Sequence, residues 1–496
     1  MEKLESFLKK YWFEICIAII IFIAIVLRFY NFENRWGLAY DQTRDVLVAH
    51  EALRTHSIPL IGPFSSAEQF VYGPQWFWVL MLMIGIYPSS FITPWIIQIL
   101  LYVLMVFVMI IIGKEINGKI FGLLVGLFTA ISPAQIAQST NLTSPSMVSI
   151  FSIASVYFFV KYVKERKPLY SFLLGFFIAT AVNIHFQAVG LFVLIPIIIV
   201  FSKGTKQTLL SLFLGILIPF IPLIVFDLKN NFYETRGILD YYMYGQYKIY
   251  LPNRWLTYAG VFWPNSWALI IGGYRLIGYG IIAMLSATVL FTIYKREFKK
   301  PLVSLMLGFL LMFIMLRYYR GERYDGYIIF LHPFVLLFTA WLNYRLFIYR
   351  RLLGLIFCII LVGSSLHVVI LEITNATNYA ASRAEAWKNT LIEKFPDKKF
   401  AIYDYGYKSA GFSLPLVLFL EHENKLSDRG YLIGFGSHPI ISMRLPHPEI
   451  KENKAGFTLR DLSSSSSAEL EKAGWAFVNP SAIYHSTVEW YIGKKL

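Results

Sequence analysis

Long apolar stretches alternate with short polar ones over most of this 496-residue chain. A helix needs about 20 predominantly apolar residues to cross a bilayer, and many of these stretches approach that length. The pattern predicts a mainly α fold, a polytopic transmembrane bundle of about eleven spans. The predicted spans are residues 13–27, 91–112, 120–137, 147–163, 170–181, 188–201, 209–226, 267–294, 302–316, 328–342 and 352–371.

Lysine and arginine cluster in the short connections between spans, and such clusters normally stay on the cytoplasmic side. Lys9 and Lys10 precede the first span, which places the N-terminus in the cytoplasm. Residues 28–90 then form a first outer loop, and residues 227–266 form a second long one. Within the first loop, residues 75–87 are apolar but short, which predicts a helix at the membrane surface. We therefore predict a multi-pass protein of the plasma (inner) membrane.

The chain changes character after residue 371. Residues 1–371 are predicted to form the membrane module, and residues 372–496 have frequent charges and no membrane-length apolar run. This second part is predicted to be a small extracytoplasmic α/β domain. Its predicted strands are 399–403, 431–435 and 475–478, with a helix at 409–421 and a flexible loop at 463–467.

Composition agrees with a membrane class, since 57% of the residues are hydrophobic. The net charge of +15 follows the topology and does not indicate a nucleic-acid partner. Cys16 and Cys358 both lie inside apolar runs, so a disulfide framework and a cysteine metal site are excluded. No nucleotide-binding P-loop or zinc-protease motif is present where its mechanism would need it.

The polar centre of the first outer loop carries the strongest candidate chemistry. Asp41, Arg44 and Asp45 are spaced i, i+3 and i+4, so they share one face of the amphipathic helix predicted for residues 41–54. A carboxylate just outside the lipid could take a proton from an acceptor hydroxyl or amine. The alternative is structural: Asp41 caps the helix, and Arg44 pairs with Asp41 or Asp45.

A late outer turn, residues 317–324, holds three arginines on the side where few are expected. The planar guanidinium groups of Arg320 and Arg323 suit the phosphate of a lipid phosphate or pyrophosphate. The alternative is anchoring to anionic lipid headgroups, or pairing with Glu322.

Polar residues also cluster at an outer hinge between two apolar runs, where they are costly unless partnered or used. Asn183, His185 and Gln187 occupy this hinge, and His185 could donate a hydrogen bond to a substrate or pack as a helix-terminal histidine. Tyr72-Gly73-Pro74 ends the polar part of the first loop, where a simple turn is favoured.

These motifs together resemble the GT-C class of membrane glycosyltransferases, in particular the bacterial branch with protein O-mannosyltransferases and the lipid A aminoarabinose transferase. The resemblance covers residues 13–371. It rests on four motifs, which are Arg28-Phe-Tyr30, Tyr40-Asp41-Gln42-Thr43-Arg44, Tyr72-Gly73-Pro74, and Arg323-Tyr324 followed by His332-Pro333.

The resemblance implies an inverting transferase that takes its sugar from a polyprenyl phosphate, with Asp41 as base and Arg44 beside it. Substrate-binding candidates are Asp45, Tyr72, His185, Gln187, Arg320, Arg323 and Tyr324. Two departures stand out, because Gln42 replaces the usual second acid and Gly73 stands where some members carry a phosphate-binding lysine.

No cofactor is predicted, because the lipid-linked sugar is a substrate. Related oligosaccharyltransferases hold a divalent ion between carboxylates of the first and second outer loops, but the turn at 139–146 has no acid here. We therefore expect no obligatory metal. The expected partners are the polyprenyl-phosphate sugar, membrane lipids, and a lipid, glycan or protein acceptor.

Two other functions are alternatives to the transferase. A transporter or lipid flippase of envelope biogenesis predicts inverted repeats and deeply buried charges, and neither is evident in the sequence. The second alternative function is that of an inactive scaffold for envelope assembly.

Overall fold

The computed structural model describes residues 2–65, 70–88, 90–202, 205–247, 254–297, 299–319, 324–375, 381–405, 410–437, 449–452 and 457–478. It divides into two compact units. The first, called the membrane unit, is Met1–Tyr30, Leu60–Val79 and Pro88–Thr374. The second, called the C-terminal unit, is Asn31–Pro59, Leu80–Tyr87 and Asn375–Leu496.

Helices dominate the first 374 residues. They are α1 (Glu2–Phe29), α2 (Tyr40–Arg54), α3 (Gln75–Ile86), α4 (Thr93–Asn117), α5 (Lys119–Ala130), α6 (Pro133–Thr140), α7 (Ser144–Glu165), α8 (Pro168–Ile184), α9 (Leu194–Ser202), α10 (Lys206–Lys229), α11 (Tyr233–Met243), α12 (Arg254–Thr257), α13 (Trp263–Ile270), α14 (Arg275–Lys295), α15 (Lys300–Tyr318), α16 (His332–Tyr349) and α17 (Arg351–Thr374). Short 3-10 segments at Phe186–Val193 and Asp325–Leu331 lead into α9 and α16.

The chain is a multi-pass membrane protein, as predicted. Within the described residues, 8 helices are long and apolar enough to cross a membrane, or up to 9 if α5 and α6, bent by 54° at their junction, form one span. The predicted spans at 170–181 and 188–201 fall on shorter apolar helices. The predicted span at 267–294 is interrupted, because Gly272 and Gly273 adopt φ values of +105° and +74° between α13 and α14.

Side chains from distant helices bind the carbonyls that are freed where helices end inside the bundle. The buried Arg28 guanidinium on α1 donates to the carbonyls of Thr129 (3.4 Å) and Ala130 (3.1 Å) at the end of α5. The Ser132 hydroxyl, just after this end, donates to the Ile270 carbonyl at 2.6 Å. Backbone groups must be satisfied internally in lipid, so these bonds permit the break between α5 and α6.

Close helix packing in the membrane unit depends on glycine. A Cβ placed on Gly215 of α10 would lie 2.1 Å from the Phe172 carbonyl oxygen, and one on Gly175 of α8 would lie 2.6 Å from the Leu212 oxygen. Neither distance is compatible with a side chain. Small residues therefore let the backbones of α8 and α10 approach directly, as is common between membrane helices.

The C-terminal unit contains a five-stranded mixed sheet, which confirms the predicted α/β domain. Its strands are β1 (Phe400–Tyr405), β2 (Tyr431–Ser437), β3 (Glu449–Glu452), β4 (Phe457–Asp461) and β5 (Trp475–Phe477), in the order β3-β4-β2-β1-β5. Strands β1 and β2 are parallel and are connected through helix α19 (Ala410–His422), whereas the other pairs are antiparallel. Helix α18 (Ala381–Lys394) packs with α19.

One detail of this unit differs from the predicted flexible loop at 463–467. Ser466 is the N-cap of a short helix, α20 (Ser467–Lys472), and exchanges hydrogen bonds with Glu469. This reciprocal capping box ends the loop at Ser466. Ser463 is also fixed, because its hydroxyl donates to the Asp461 carboxylate at 2.6 Å.

Helix α2, from the segment predicted to be the first outer loop, belongs to the C-terminal unit, where it packs against α19. The preceding loop is tied to α18, since the Ala381 N–H donates to the Trp36 carbonyl at 3.2 Å. On α2 itself, burial and the nearby His422 of α19 lower the pKa of His50. The helix that carries Asp41 is therefore built onto a scaffold supplied by the last part of the chain.

Candidate active site

Asp41, Arg44 and Asp45 form a connected group on the first turns of α2. The Arg44 guanidinium lies 3.0 Å from Asp41 Oδ1 and 2.7 Å from Asp45 Oδ1, and its Nε also donates to Asp45 at 2.8 Å. The Tyr40 ring lies under the guanidinium, 5.6 Å from ring centroid to Cζ. One cation therefore holds both carboxylates, as the i, i+3 and i+4 spacing requires.

The two carboxylates differ in accessibility. The Asp41 side chain is 64% exposed, whereas that of Asp45 is 3% exposed. Asp45 therefore fixes Arg44, while Asp41 offers its oxygens to an incoming group. The N-cap residue of α2 is Ala39, not Asp41.

Gln42, beside Asp41, has a structural contact. Its side-chain oxygen accepts the Ala39 N–H at 3.1 Å, and the side chain is buried. This bond satisfies a backbone donor at the start of the helix. The amide therefore performs the helix-start role of the Glu or Gln in a capping box.

A second group of predicted site residues lies in the membrane unit. The Tyr72 hydroxyl and His185 Nε2 are 3.1 Å apart, and the two rings lie 4.6 Å apart between centroids. Aromatic contacts continue from His185 to Tyr327 at 5.8 Å and from Tyr327 to the exposed Tyr324 at 5.5 Å. Burial lowers the pKa of His185 to about 4, so its imidazole is neutral at pH 7.

Beside this group lies a small pocket. It is lined by His185, Gln187 and Tyr327 together with Pro145, Val148, Ala188, Gly326, Ile329 and Phe330. A few convergent polar groups in an otherwise apolar pocket are typical of a ligand site. The structure thus brings Tyr72, His185, Gln187 and Tyr324 into one region of the membrane unit.

Gly73 cannot carry a side chain at its present backbone position. A Cβ there would lie 2.2 Å from Asn183 Oδ1 and 2.4 Å from Gln75 Oε1. Both amides are held in place, since Asn183 Nδ2 donates to the Ala179 carbonyl and Gln75 Nε2 to that of Pro219. Any longer side chain, lysine included, is sterically excluded here.

Arg320 and Arg323 lie outside the described residues. Among their described neighbours, the Arg317 guanidinium packs over the Trp255 ring at 4.8 Å. Arg254 donates to the Tyr319 carbonyl at 3.3 Å, and the Tyr319 and Tyr241 hydroxyls are 2.5 Å apart. Burial, with Tyr241 as the next contribution, raises the pKa of Tyr319.

Two buried polar groups were not predicted from the sequence. Glu234 on α11 accepts the Val71 N–H at 2.9 Å, next to Tyr72. The His332 Nδ1 atom lies 2.7 Å from Gln135 Nε2. Their partners are 163 and 197 positions away in sequence, so no local pattern could identify them. Within the described chain, no three His, Cys, Asp or Glu side chains are grouped as metal ligands.

Replacing Gly73 tests the packing around the Tyr72–His185 group. We expect Gly73→Ala to destabilise the protein by about 1–3 kcal/mol, because the new methyl group displaces the fixed Asn183 and Gln75 amides. Thermal unfolding in detergent measures this loss. Gly85→Ala, at a helical glycine with open space around it, is the matched control and should not lower the melting temperature. Equal stability of the two variants would contradict the steric argument.

The chain was compared with known families, proteins and structures. Residues 72–226 match the family model described as dolichyl-phosphate-mannose-protein mannosyltransferase. A comparison with curated proteins finds no match.

Solved structures give matches over nearly the whole chain. ArnT from Cupriavidus metallidurans in the apo state matches with a TM-score of 0.61 and 10% identity, over 90% of this chain and 98% of that one. ArnT bound to undecaprenyl phosphate gives a TM-score of 0.62 and 10% identity, over 89% and 97%. The Archaeoglobus fulgidus oligosaccharyltransferase in complex with zinc and sulfate gives 0.50 and 12%, over 86% and 68%.

These identities are low, so the structural matches show the fold. The family match adds sequence evidence for the segment from Tyr72 to Phe226. Neither finding supports a transporter or flippase. The predicted resemblance is confirmed: residues 72–226 match the model of the dolichyl-phosphate-mannose-protein mannosyltransferases, and the chain has a fold similar to those of ArnT and the oligosaccharyltransferase.

Proposed function

We propose that this protein is an inverting glycosyltransferase that moves a sugar from a polyprenyl-phosphate donor to an acceptor at the outer face of the plasma membrane. The observation that carries the proposal is the Asp41 carboxylate, which is exposed and fixed by Arg44 at 3.0 Å in a chain with the GT-C fold. The acceptor is a hydroxyl or amine of a lipid, glycan or protein. The N-terminus is cytoplasmic and the C-terminal unit extracytoplasmic in this proposal.

Asp41 acts as the general base. It removes the proton of the acceptor hydroxyl or amine while that atom attacks the anomeric carbon of the sugar. The new bond to the anomeric carbon forms as the bond from that carbon to the phosphate oxygen breaks. Polyprenyl phosphate leaves with the bonding electrons, and Asp41 keeps the proton. Attack opposite the leaving group inverts the anomeric centre.

Arg44 positions the base. Its guanidinium is held by the buried Asp45, so its contact with Asp41 orients a carboxylate that would otherwise rotate freely in solvent. Positioning a reacting group in this way removes an entropic part of the barrier. Asp45 thereby supports substrate binding only through Arg44.

The Tyr72 and His185 group would bind the sugar. A hydroxyl, a neutral imidazole and the Gln187 amide can exchange hydrogen bonds with sugar hydroxyls, and aromatic rings can pack against the sugar ring. The exposed Tyr324 extends this surface. Because these groups are uncharged, they do not attract the cations that bind the donor phosphate.

The donor phosphate would be bound by Arg320 and Arg323. Charge builds up on the leaving phosphate, and a guanidinium group stabilises such charge with paired hydrogen bonds. The absence of a lysine at Gly73 makes cationic groups from another segment necessary. The similar protein ArnT has been solved with undecaprenyl phosphate, which makes this lipid a suitable probe.

No obligatory metal is expected for the transfer. The turn at 139–146 offers no carboxylate, whereas a hard cation prefers several oxygen ligands. The zinc complex of the similar oligosaccharyltransferase provides the contrasting case.

Removing the charge of Asp41 tests the base. We expect Asp41→Asn to slow sugar transfer by roughly 10²–10⁴-fold, because the amide cannot accept the proton. The assay follows a labelled sugar from its polyprenyl phosphate in membranes. Glu51→Gln is the control, because it removes a carboxylate from the same helix that pairs with the nearby Arg54. Full activity of Asp41→Asn would refute the proposed role.

The phosphate role predicts weaker lipid binding in two variants. Arg320→Ala and Arg323→Ala should each raise the Kd for undecaprenyl phosphate about tenfold or more, because each removes a charge-assisted hydrogen bond. Binding to protein in nanodiscs is the measurement. Arg275→Ala, an exposed outer arginine at the start of α14, should leave the Kd unchanged. Unchanged binding in both test variants would return these arginines to lipid anchoring.

Chelation tests the metal expectation. Transfer should continue at the same rate in EDTA, and added Mn²⁺, Mg²⁺ or Zn²⁺ should not accelerate it. A rate that falls with EDTA and recovers with one of these ions would show a metal-dependent reaction, as a bound divalent ion would stabilise the leaving phosphate.

A further inference from the structure

The backbone next to Tyr72 is held from outside its own segment. Both backbone groups of Tyr72 are hydrogen-bonded to an earlier part of the loop. The Tyr72 carbonyl accepts the Gly62 N–H at 2.8 Å, and the Tyr72 N–H donates to the Pro63 carbonyl at 3.0 Å. The Val71 N–H has a different acceptor, the Glu234 carboxyl oxygen Oε2 at 2.9 Å. Both Val71 and Glu234 are buried. This bond joins the first outer loop to α11 of the second outer segment.

The position of Glu234 is itself fixed. Asp227, near the end of α10, accepts the N–H groups of Glu234 (2.8 Å) and Thr235 (3.2 Å) and the Thr235 hydroxyl (2.5 Å). These bonds anchor the first turn of α11 to α10. Glu234 therefore presents its carboxyl group to Val71 from a constrained helix.

Burial is costly for this carboxyl group. It raises the pKa of Glu234 to about 8, with Asp227 adding to the effect, so the group is mostly neutral at pH 7. Oε1 has no hydrogen-bond partner among the described residues. Burying a carboxyl group of which only one oxygen is hydrogen-bonded costs free energy. The structural result of this cost is a fixed position for the Val71 N–H.

The side chains on either side of Val71 pack into the same aromatic cluster. Phe70, on the other side of Val71, packs against Tyr241 of α11 at 5.5 Å and against Phe186 at 5.5 Å. The Tyr72 ring meets Phe186 at 5.5 Å and reaches His185 with its hydroxyl. A shift of the Val71 backbone would move both flanking rings together.

We propose that Glu234 is a positioning residue for the Tyr72–His185 pair, acting through the Val71 N–H. The second outer segment thereby sets the geometry of the sugar-binding group. The inference deepens the proposed function, on which it rests for the role of that pair in substrate binding. Glu234 does not touch the substrate in this scheme.

The test labels Tyr72 directly. With 3-fluorotyrosine at position 72 of the full-length protein in nanodiscs, ¹⁹F NMR reports the surroundings of the ring. Glu234→Gln retains a carbonyl oxygen for Val71 and should keep the wild-type signal. Glu234→Ala removes the acceptor and should shift or broaden that signal. Asp240→Ala, which removes an exposed acid from the same helix, should have no effect.

Several outcomes would overturn the proposal. One is an unchanged signal in Glu234→Ala, and another is a Gln variant as perturbed as the Ala variant. If Glu234→Ala does not fold, Glu234→Asp shortens the side chain by one methylene and should shift the signal. A wild-type signal in folded Glu234→Asp would then overturn the idea.

Enzyme kinetics separate this inference from the proposed function. Glu234→Ala should raise KM several-fold more than it lowers kcat, and the effect should largely disappear in a Tyr72→Phe background, since both changes disrupt one pair. Additive losses would indicate a merely structural role. If the wild-type protein transfers no sugar, the proposed function fails, but the ¹⁹F signals still decide whether Glu234 positions Tyr72.

Discussion

The structure depends on one constraint: backbone carbonyls that are freed inside the bundle must find donors within the protein. Lipid offers no hydrogen-bond donors, and each backbone carbonyl left without one costs several kcal/mol. Arg28 meets this need at the end of α5, and Gln98 does so at the end of α6 by donating to the carbonyls of Gln138 (3.0 Å) and Asn141 (2.9 Å). Polar side chains that are costly to bury in an apolar bundle therefore satisfy the backbone groups at the points where its helices break.

Sequence patterns predicted what is decided locally. Apolar length predicted the membrane helices, the segments 399–403, 431–435 and 475–478 were predicted as strands and form β1, β2 and β5, and i, i+3 and i+4 spacing placed Asp41, Arg44 and Asp45 on one helix face. The interrupted spans were not predicted, because a break depends on a donor from another helix. The bonds from Tyr72 to His185 and from Val71 to Glu234 join residues 113 and 163 positions apart, which no periodicity records.

The candidate chemistry is divided between residues with different demands. Asp41, the proposed base, must remain solvated and accessible to take a proton, and it lies on a short helix beside the partly buried Arg44. The Tyr72–His185 pair must remain neutral and oriented, and it lies where burial favours the uncharged imidazole. Gly73, next to Tyr72, has no room for a cationic side chain. The proposed phosphate site therefore takes its charges from a later segment, at Arg320 and Arg323.

The association of α2 with the C-terminal unit limits how this protein can be dissected. A chain shortened after Thr374 would lose α19 and α18, and with them the surface on which the Asp41 helix packs and the Ala381 bond to Trp36. Loss of transfer in such a truncation would therefore report the lost packing of α2 and would not identify a role of the C-terminal domain in acceptor choice. Exchanging that domain between relatives meets the same difficulty, unless the segment from Asn31 to Pro59 is exchanged with it as one unit.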